Sequence, residues 1–225
     1  MQLITVHLYD PEIAAAYIDA LRRRSAPQWG WWQDDLPTLL AADMSEADAA
    51  RIGTGLALAM ADAHPTYHSE GFGLTPWEAM YDRGVGMFMR PPARVFVDHG
   101  INPIVTGRMP IRLDLQGGIM AGAWIPPHLI PQLDQMIEER LERWAKRIHE
   151  AEVDPYPLLA TMRMVTDDAL RSGLGIIEAI NILAPGFQVV ETPDRKRMNA
   201  SLRMRIDAAI EPEKKSFLDR FRKKD

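Results

Sequence analysis

The stretch Ile111-Arg112-Leu113-Asp114-Leu115-Gln116-Gly117-Gly118, with the long apolar stripe that begins at Leu129, decides the fold class. Ile111, Leu113 and Leu115 alternate with Arg112 and Asp114, so a strand here sets three apolar groups on one face and two charges on the other. Gln116-Gly117-Gly118 suits a tight hairpin turn, because glycine tolerates positive φ. Further strand-like runs at 85–89, 94–98, 104–106 and 119–125 are divided by Pro and Gly, which predicts an antiparallel meander over 84–125. The period then changes. Leu129, Leu133, Met136, Ile137, Leu141, Trp144 and Ile148 recur at spacings of three and four, while Glu138, Glu139, Arg140, Glu142 and Arg143 take the other face. That pattern predicts an amphipathic helix over 127–150. Asp154-Pro155 opens a second helix that runs to about 183, before Pro185-Gly186; Gly173 and Gly175 within it mark a kink or a close contact. Two long helices joined by a few residues predict an antiparallel hairpin.

Toward the N-terminus, residues 2–8 are β-branched and apolar and read as a short strand. Asp10-Pro11-Glu12 opens a helix, with Asp as cap and Pro at the first helical position, where its missing N–H costs nothing. Ser45 and Asp48 start a helix that runs to about Ala63, and Ala49, Gly53, Ala57 and Ala61 form a small-residue ridge along it. Such a ridge lets another element approach closely, placing this helix deep inside or at an interface. Thr75-Pro76-Trp77-Glu78 reads as a capping box for a short helix ending near Asp82. Val189-Val190 reads as a last short strand, and 195–210 as a basic amphipathic segment.

The order of strand, helices, strands and helices favours α+β. The expected architecture is an antiparallel sheet from about 84–125, joined by strand 2–8, packed against a helical hairpin of about 127–150 and 156–183. Residues 1–210 are expected to form one compact α+β domain, with 211–225 as a charged C-terminal tail.

Composition excludes more than it selects. The 225 residues include no Cys, which removes disulfides, thiolate metal sites and a Cys nucleophile together. No apolar run approaches the ~18 residues of a membrane-spanning helix. The N-terminus lacks the features of a signal peptide, so a cytoplasmic location is expected. Against 31 acidic residues stand 26 Lys and Arg; residues 191–225 carry 11 basic and 7 acidic side chains, which leaves the first 190 residues strongly acidic. Nucleic acid is disfavoured as a partner of that acidic body. There is no G-x-x-x-x-G-K-[ST] phosphate loop, no complete dinucleotide fingerprint, no G-x-S-x-G elbow and no H-E-x-x-H zinc helix.

Four groups of residues remain as site candidates. His64 and His68, with Glu70 beside them and His99 at the end of a predicted strand, offer imidazole and carboxylate ligands for one divalent metal ion. Trp29, Trp31 and Trp32 offer an aromatic anchor for a protein contact. Arg90, Arg94 and Arg112 could converge on a phosphate or carboxylate, since a guanidinium fork pairs with two oxygens. Phe217 and Phe221, set among Lys and Arg, give the tail an apolar face for a partner groove or an anionic membrane surface.

These candidates support three functions. The first is a non-enzymatic interaction or assembly protein without a cofactor, partnered by itself as a homo-oligomer or by another protein. The second is a metal-dependent hydrolase built on His64, His68 and His99 with Glu70 as ligand or base. The third is a small-molecule anion binder with an arginine-lined pocket.

Overall fold

A computed structural model describes residues 3–23, 46–91, 93–100, 121–180, 182 and 189–211. Within them, five strands form a mixed, mostly antiparallel sheet in an α+β fold. The elements are β1 (Ile4–Tyr9), α1 (Pro11–Arg22), α2 (Glu46–Ala63), β2 (Thr66–Tyr67), α3 (Leu74–Met80), α4 (Ala93–Asp98), β3 (Ala121–Ile125), α5 (Ile130–Glu150), α6 (Pro155–Ser172), β4 (Gly175–Ile180), β5 (Val189–Val190) and α7 (Ala200–Ile210). Short 3-10 turns occupy Arg83–Met87 and Pro127–Leu129.

The strand order is β3-β4-β1-β2-β5. β4 and β1 pair antiparallel along their full lengths, from Ile4 opposite Ile180 to Tyr9 opposite Gly175. β3 adds to the outer side of β4, β2 to the outer side of β1, and β5 lies parallel to β2. Alternation along β1 sends Val6 and Leu8 into a core shared with α3, α5 and α6, and Tyr9 into a core shared with α1, α2 and α4. Both faces of the sheet are therefore covered, and all six residues of β4 are buried.

That double burial explains where sequence periodicity misleads. Gly175-Ile176-Ile177-Glu178-Ala179-Ile180 has no polar–apolar alternation because neither face meets water, and it reads as the continuation of a helix. The helix expected over 156–183 instead ends at Ser172, where Gly173 takes a left-handed conformation (φ 71°) as its cap. α5 and α6 are joined by residues 151–154 and pack on one another, while α5 also contacts α7.

The expected meander over 84–125 is corrected in the same way. Of its strand-like runs, 121–125 is a strand, but 85–89 falls largely within the 3-10 turn and 94–98 within α4. Asp82 starts the turn by accepting the Gly84 N–H, and an Arg94–Asp98 pair one helical turn apart supports α4. The runs at 104–106 and 110–115, and the Gln116-Gly117-Gly118 turn, lie outside the described residues. The capping box at Thr75 is also replaced. α3 begins two residues earlier than that cap implies, at Leu74 after Gly73, and the Thr75 N–H and hydroxyl both donate to Glu178 of β4.

Other local readings hold. Asp10 caps α1 by accepting from the Glu12 and Ile13 amides, and Asp154 caps α6 through the Tyr156 amide. Along the small-residue ridge of α2, Ala57 and Ala61 pack with Ala179 and Ile182, so the ridge serves the interior. Among the described residues no helix is long and apolar enough to cross a membrane.

Candidate anion-binding site

α5 presents three arginines on one flank. Arg140, Arg143 and Arg147 follow one another at i, i+3 and i+7, which on a 3.6-residue helix confines them to an arc of about 60°. The adjoining stripe of α5, including Ile130, Leu133, Leu141, Trp144 and Ile148, is buried. The flank faces the end of α3 and the turn after it, and the two elements enclose a concavity of about 420 Å³. Its wall is formed by Glu78, Ala79, Met80, Tyr81, Asp82 and Arg83 together with Arg140, Arg143 and Arg147.

Asp82 organises this corner. Its carboxylate accepts from Arg140 Nη1 at 3.0 Å to both oxygens, from Arg143 Nη2, from the Trp144 indole N–H at 2.7 Å and from the Gly84 amide at 2.8 Å. Burial alone would raise its carboxyl, but the indole, amide and guanidinium donors outweigh burial and hold it well below the usual carboxylate range. Asp82 thus faces the arginines as a carboxylate at neutral pH. The Arg147 guanidinium donates to the Tyr81 carbonyl at 2.6 Å. Arg83 is exposed and meets no carboxylate among the described residues.

The floor under these charges is rigid and apolar. Trp77 packs edge-on against Trp144 at 5.1 Å and against Tyr81 at 5.4 Å, and Phe72 packs on Trp77 at 6.1 Å. Such pairs each add about 0.5–1.5 kcal/mol beyond simple burial. Gly84 belongs to the same construction. A Cβ at that position would lie 2.5 Å from Arg140 Nη1 and 2.9 Å from Asp82 Oδ1, so its missing side chain is what lets the guanidinium reach the carboxylate.

Among the described residues, four arginines therefore face two carboxylates, and one of those carboxylates already uses four donors. A guanidinium has five N–H donors, so Arg140, Arg143 and Arg147 have more donors than their bonds to Asp82 and the Tyr81 carbonyl use. Preformed cations with spare donors in a concave wall can bind an anion without having to be reoriented.

The residues expected from sequence are distributed differently. His64 Nε2 pairs with Asp10 Oδ2 at 3.1 Å, tying the end of α2 to the cap of α1. The His68 carbonyl accepts from the Thr192 hydroxyl, and His99 Nδ1 lies 2.8 Å from the Val95 carbonyl within its own segment. Among the described residues no three His, Asp or Glu side chains gather for a metal, so His64, His68, Glu70 and His99 do not form the expected ligand set. Arg90 donates to the Met87 and Met89 carbonyls, and Arg94 pairs with Asp98; these two do not line the concavity. Arg112, Trp29, Trp31, Trp32, Phe217 and Phe221 lie outside the described residues.

Two further polar groups sit inside the sheet. His7 is buried between the Thr5 and Thr66 hydroxyls, at 2.9 and 3.2 Å, and burial lowers its pKa to about 3. Burial pushes the Glu178 carboxyl up, partly offset by donors from Thr75, Ala123 and Leu74. Both are enclosed and partnered, and hold strands to one another or to α3.

Nothing local in the sequence marks Asp82, Arg83, Arg140, Arg143 and Arg147 as a site, because charges on an amphipathic helix ordinarily mark its solvated face. The available signal was finer: three arginines at i, i+3 and i+7 on one flank, and an Asp82-Arg83-Gly84 turn far away in sequence. The chain matches no family model, no curated protein and no solved structure.

Proposed function

We propose that this protein binds a small anion in the arginine-lined concavity between α5 and the α3 turn. The observation that carries the reading is the charge imbalance of its wall, four arginines against two carboxylates, in a chain whose net charge is −5. Arginine-lined anion binding is thus favoured over a metal-dependent hydrolase, though through Arg83, Arg140, Arg143 and Arg147 in place of Arg90, Arg94 and Arg112. A cytoplasmic setting suits it, since a chain without Cys needs no oxidising compartment.

The test is calorimetric titration at low ionic strength with orthophosphate, pyrophosphate and citrate. Saturable one-site binding that weakens with added salt, and that Arg143→Ala reduces at least tenfold, is the expected result. Failure of all three anions to bind the unaltered protein would remove this function.

A further inference from the structure

Resting on that reading, we propose that the ligand is a linear oligophosphate, two or more phosphoryl groups in a row, either free or as the chain of a nucleoside di- or triphosphate. Arg140 and Arg147 are separated along α5 by about 10 Å, at 1.5 Å per residue, with Arg143 between them. A single tetrahedral anion answers one guanidinium or two neighbours. It cannot answer all three, nor Arg83 across the cleft. The Arg140 and Arg143 guanidiniums meet at Asp82, the Arg147 guanidinium stands at the Tyr81 carbonyl, and Arg83 lies on the facing element, so the cations form separate centres around the concavity, and a chain that carries charge along its length can answer more than one of them.

Preorganisation supports the same class. Each of the three arginines is anchored on its inner side, Arg140 and Arg143 to Asp82 and Arg147 to the Tyr81 carbonyl. These bonds restrain the guanidiniums before a ligand arrives, so a bound chain can collect several contacts with little new ordering of side chains. The wall has little apolar surface. Ala79 and Met80 are its aliphatic members, and Met80 is 63% exposed at the rim. A nucleobase would find little to stack on, so the phosphate chain is the part that the site recognises.

The experiment compares orthophosphate, pyrophosphate, tripolyphosphate, citrate and adenosine triphosphate by calorimetry in magnesium-free buffer. Affinity is expected to rise at least tenfold from orthophosphate to tripolyphosphate. Arg147→Ala should bring tripolyphosphate down to about the pyrophosphate level and leave orthophosphate within twofold. Arg83→Ala, an exposed position with no carboxylate partner among the described residues, repeats the test should Arg147→Ala disturb the fold. Adenosine triphosphate within a few-fold of tripolyphosphate is the expected result for either source, and a further tenfold gain would assign the chain to a nucleotide. Orthophosphate or citrate binding as tightly as tripolyphosphate would overturn the linear-chain proposal while leaving anion binding intact. No binding by any of the five would overturn both.

Discussion

The two flanks of α5 carry arginine clusters of opposite character. On the α3 side, Arg83, Arg140, Arg143 and Arg147 face Glu78 and Asp82 around about 420 Å³. On the α6 and α7 side, a concavity of about 410 Å³ contains Arg163 and Arg205. There Arg163 pairs with Asp134, Glu138 and Asp167, and Arg205 with Glu138 and Glu142, so four carboxylates surround two cations. The cavities are nearly equal in size. What separates them is the charge left over once internal pairs are counted: cationic on the first flank, acidic on the second. An arginine signals an anion site only when nearby carboxylates fail to neutralise it, and sequence does not show that balance because the carboxylates come from other elements.

The largest expected break strikes the floor of the cationic flank. Trp144→Ala removes a fully buried indole and the donor to Asp82, and should lower stability by about 4 kcal/mol in urea denaturation, within the usual range for buried Trp truncation. A loss below about 1 kcal/mol would mean that the aromatic floor does not support the site.

Next in size is the contrast with the enclosed sheet interior. His7 has a folded pKa of about 3 against 6.5 for the free side chain. Below 6.5 the unfolded chain takes up a proton that the folded chain refuses, so stability falls as pH drops through that window. The loss from this group approaches about 1.4 kcal/mol per pH unit, or on the order of 3 kcal/mol by pH ~4. Glu178 acts in the opposite direction: its raised carboxyl contributes stability below 4.5 that is lost as pH rises through its folded value. Asp82, held low, keeps its contribution through this window and loses it only as pH falls below 3.8 through its folded value. His7→Gln should therefore flatten the acid side of the stability profile relative to the parent. Parallel profiles would show that His7 is not buried neutral.

Asp82→Ala comes third. It strands Arg140, Arg143, the Trp144 indole and the Gly84 amide, but both cations can rehydrate, so the expected cost is about 2 kcal/mol, below the range for a fully buried pair. An unchanged urea midpoint would refute its organising role.

The smallest effects sharpen the comparison most. Arg163→Ala leaves three carboxylates facing one another and should cost about 1 kcal/mol with no effect on anion affinity. Arg147→Ala should cost about 0.5 kcal/mol and lower tripolyphosphate affinity to about the pyrophosphate level. If both variants change affinity alike, or neither does, the distinction between the flanks fails.

The fold was legible where local chemistry acts alone. Asp10-Pro11, Asp154-Pro155 and the apolar stripe of α5 carry their own caps and periods, and these elements stand where the residues imply. β4 was not legible, because burial on both faces erases alternation and leaves a run that either element can use. The turn after α3 was not legible either: Val85, Met87 and Met89 look strand-like, while Asp82 and the arginines of α5, more than 50 residues away, hold that segment as a turn. The site shares this difficulty. Its anionic partner and its cations lie on separate elements, and their meeting depends on a missing Cβ at Gly84.

The most direct measurement follows the arginine side-chain Nε–Hε resonances by NMR while tripolyphosphate is added to the full chain. Arg83, Arg140, Arg143 and Arg147 should shift and saturate together while Arg163 and Arg205 stay in place. Equal shifts on both flanks, or shifts confined to Arg163 and Arg205, would contradict the proposed site.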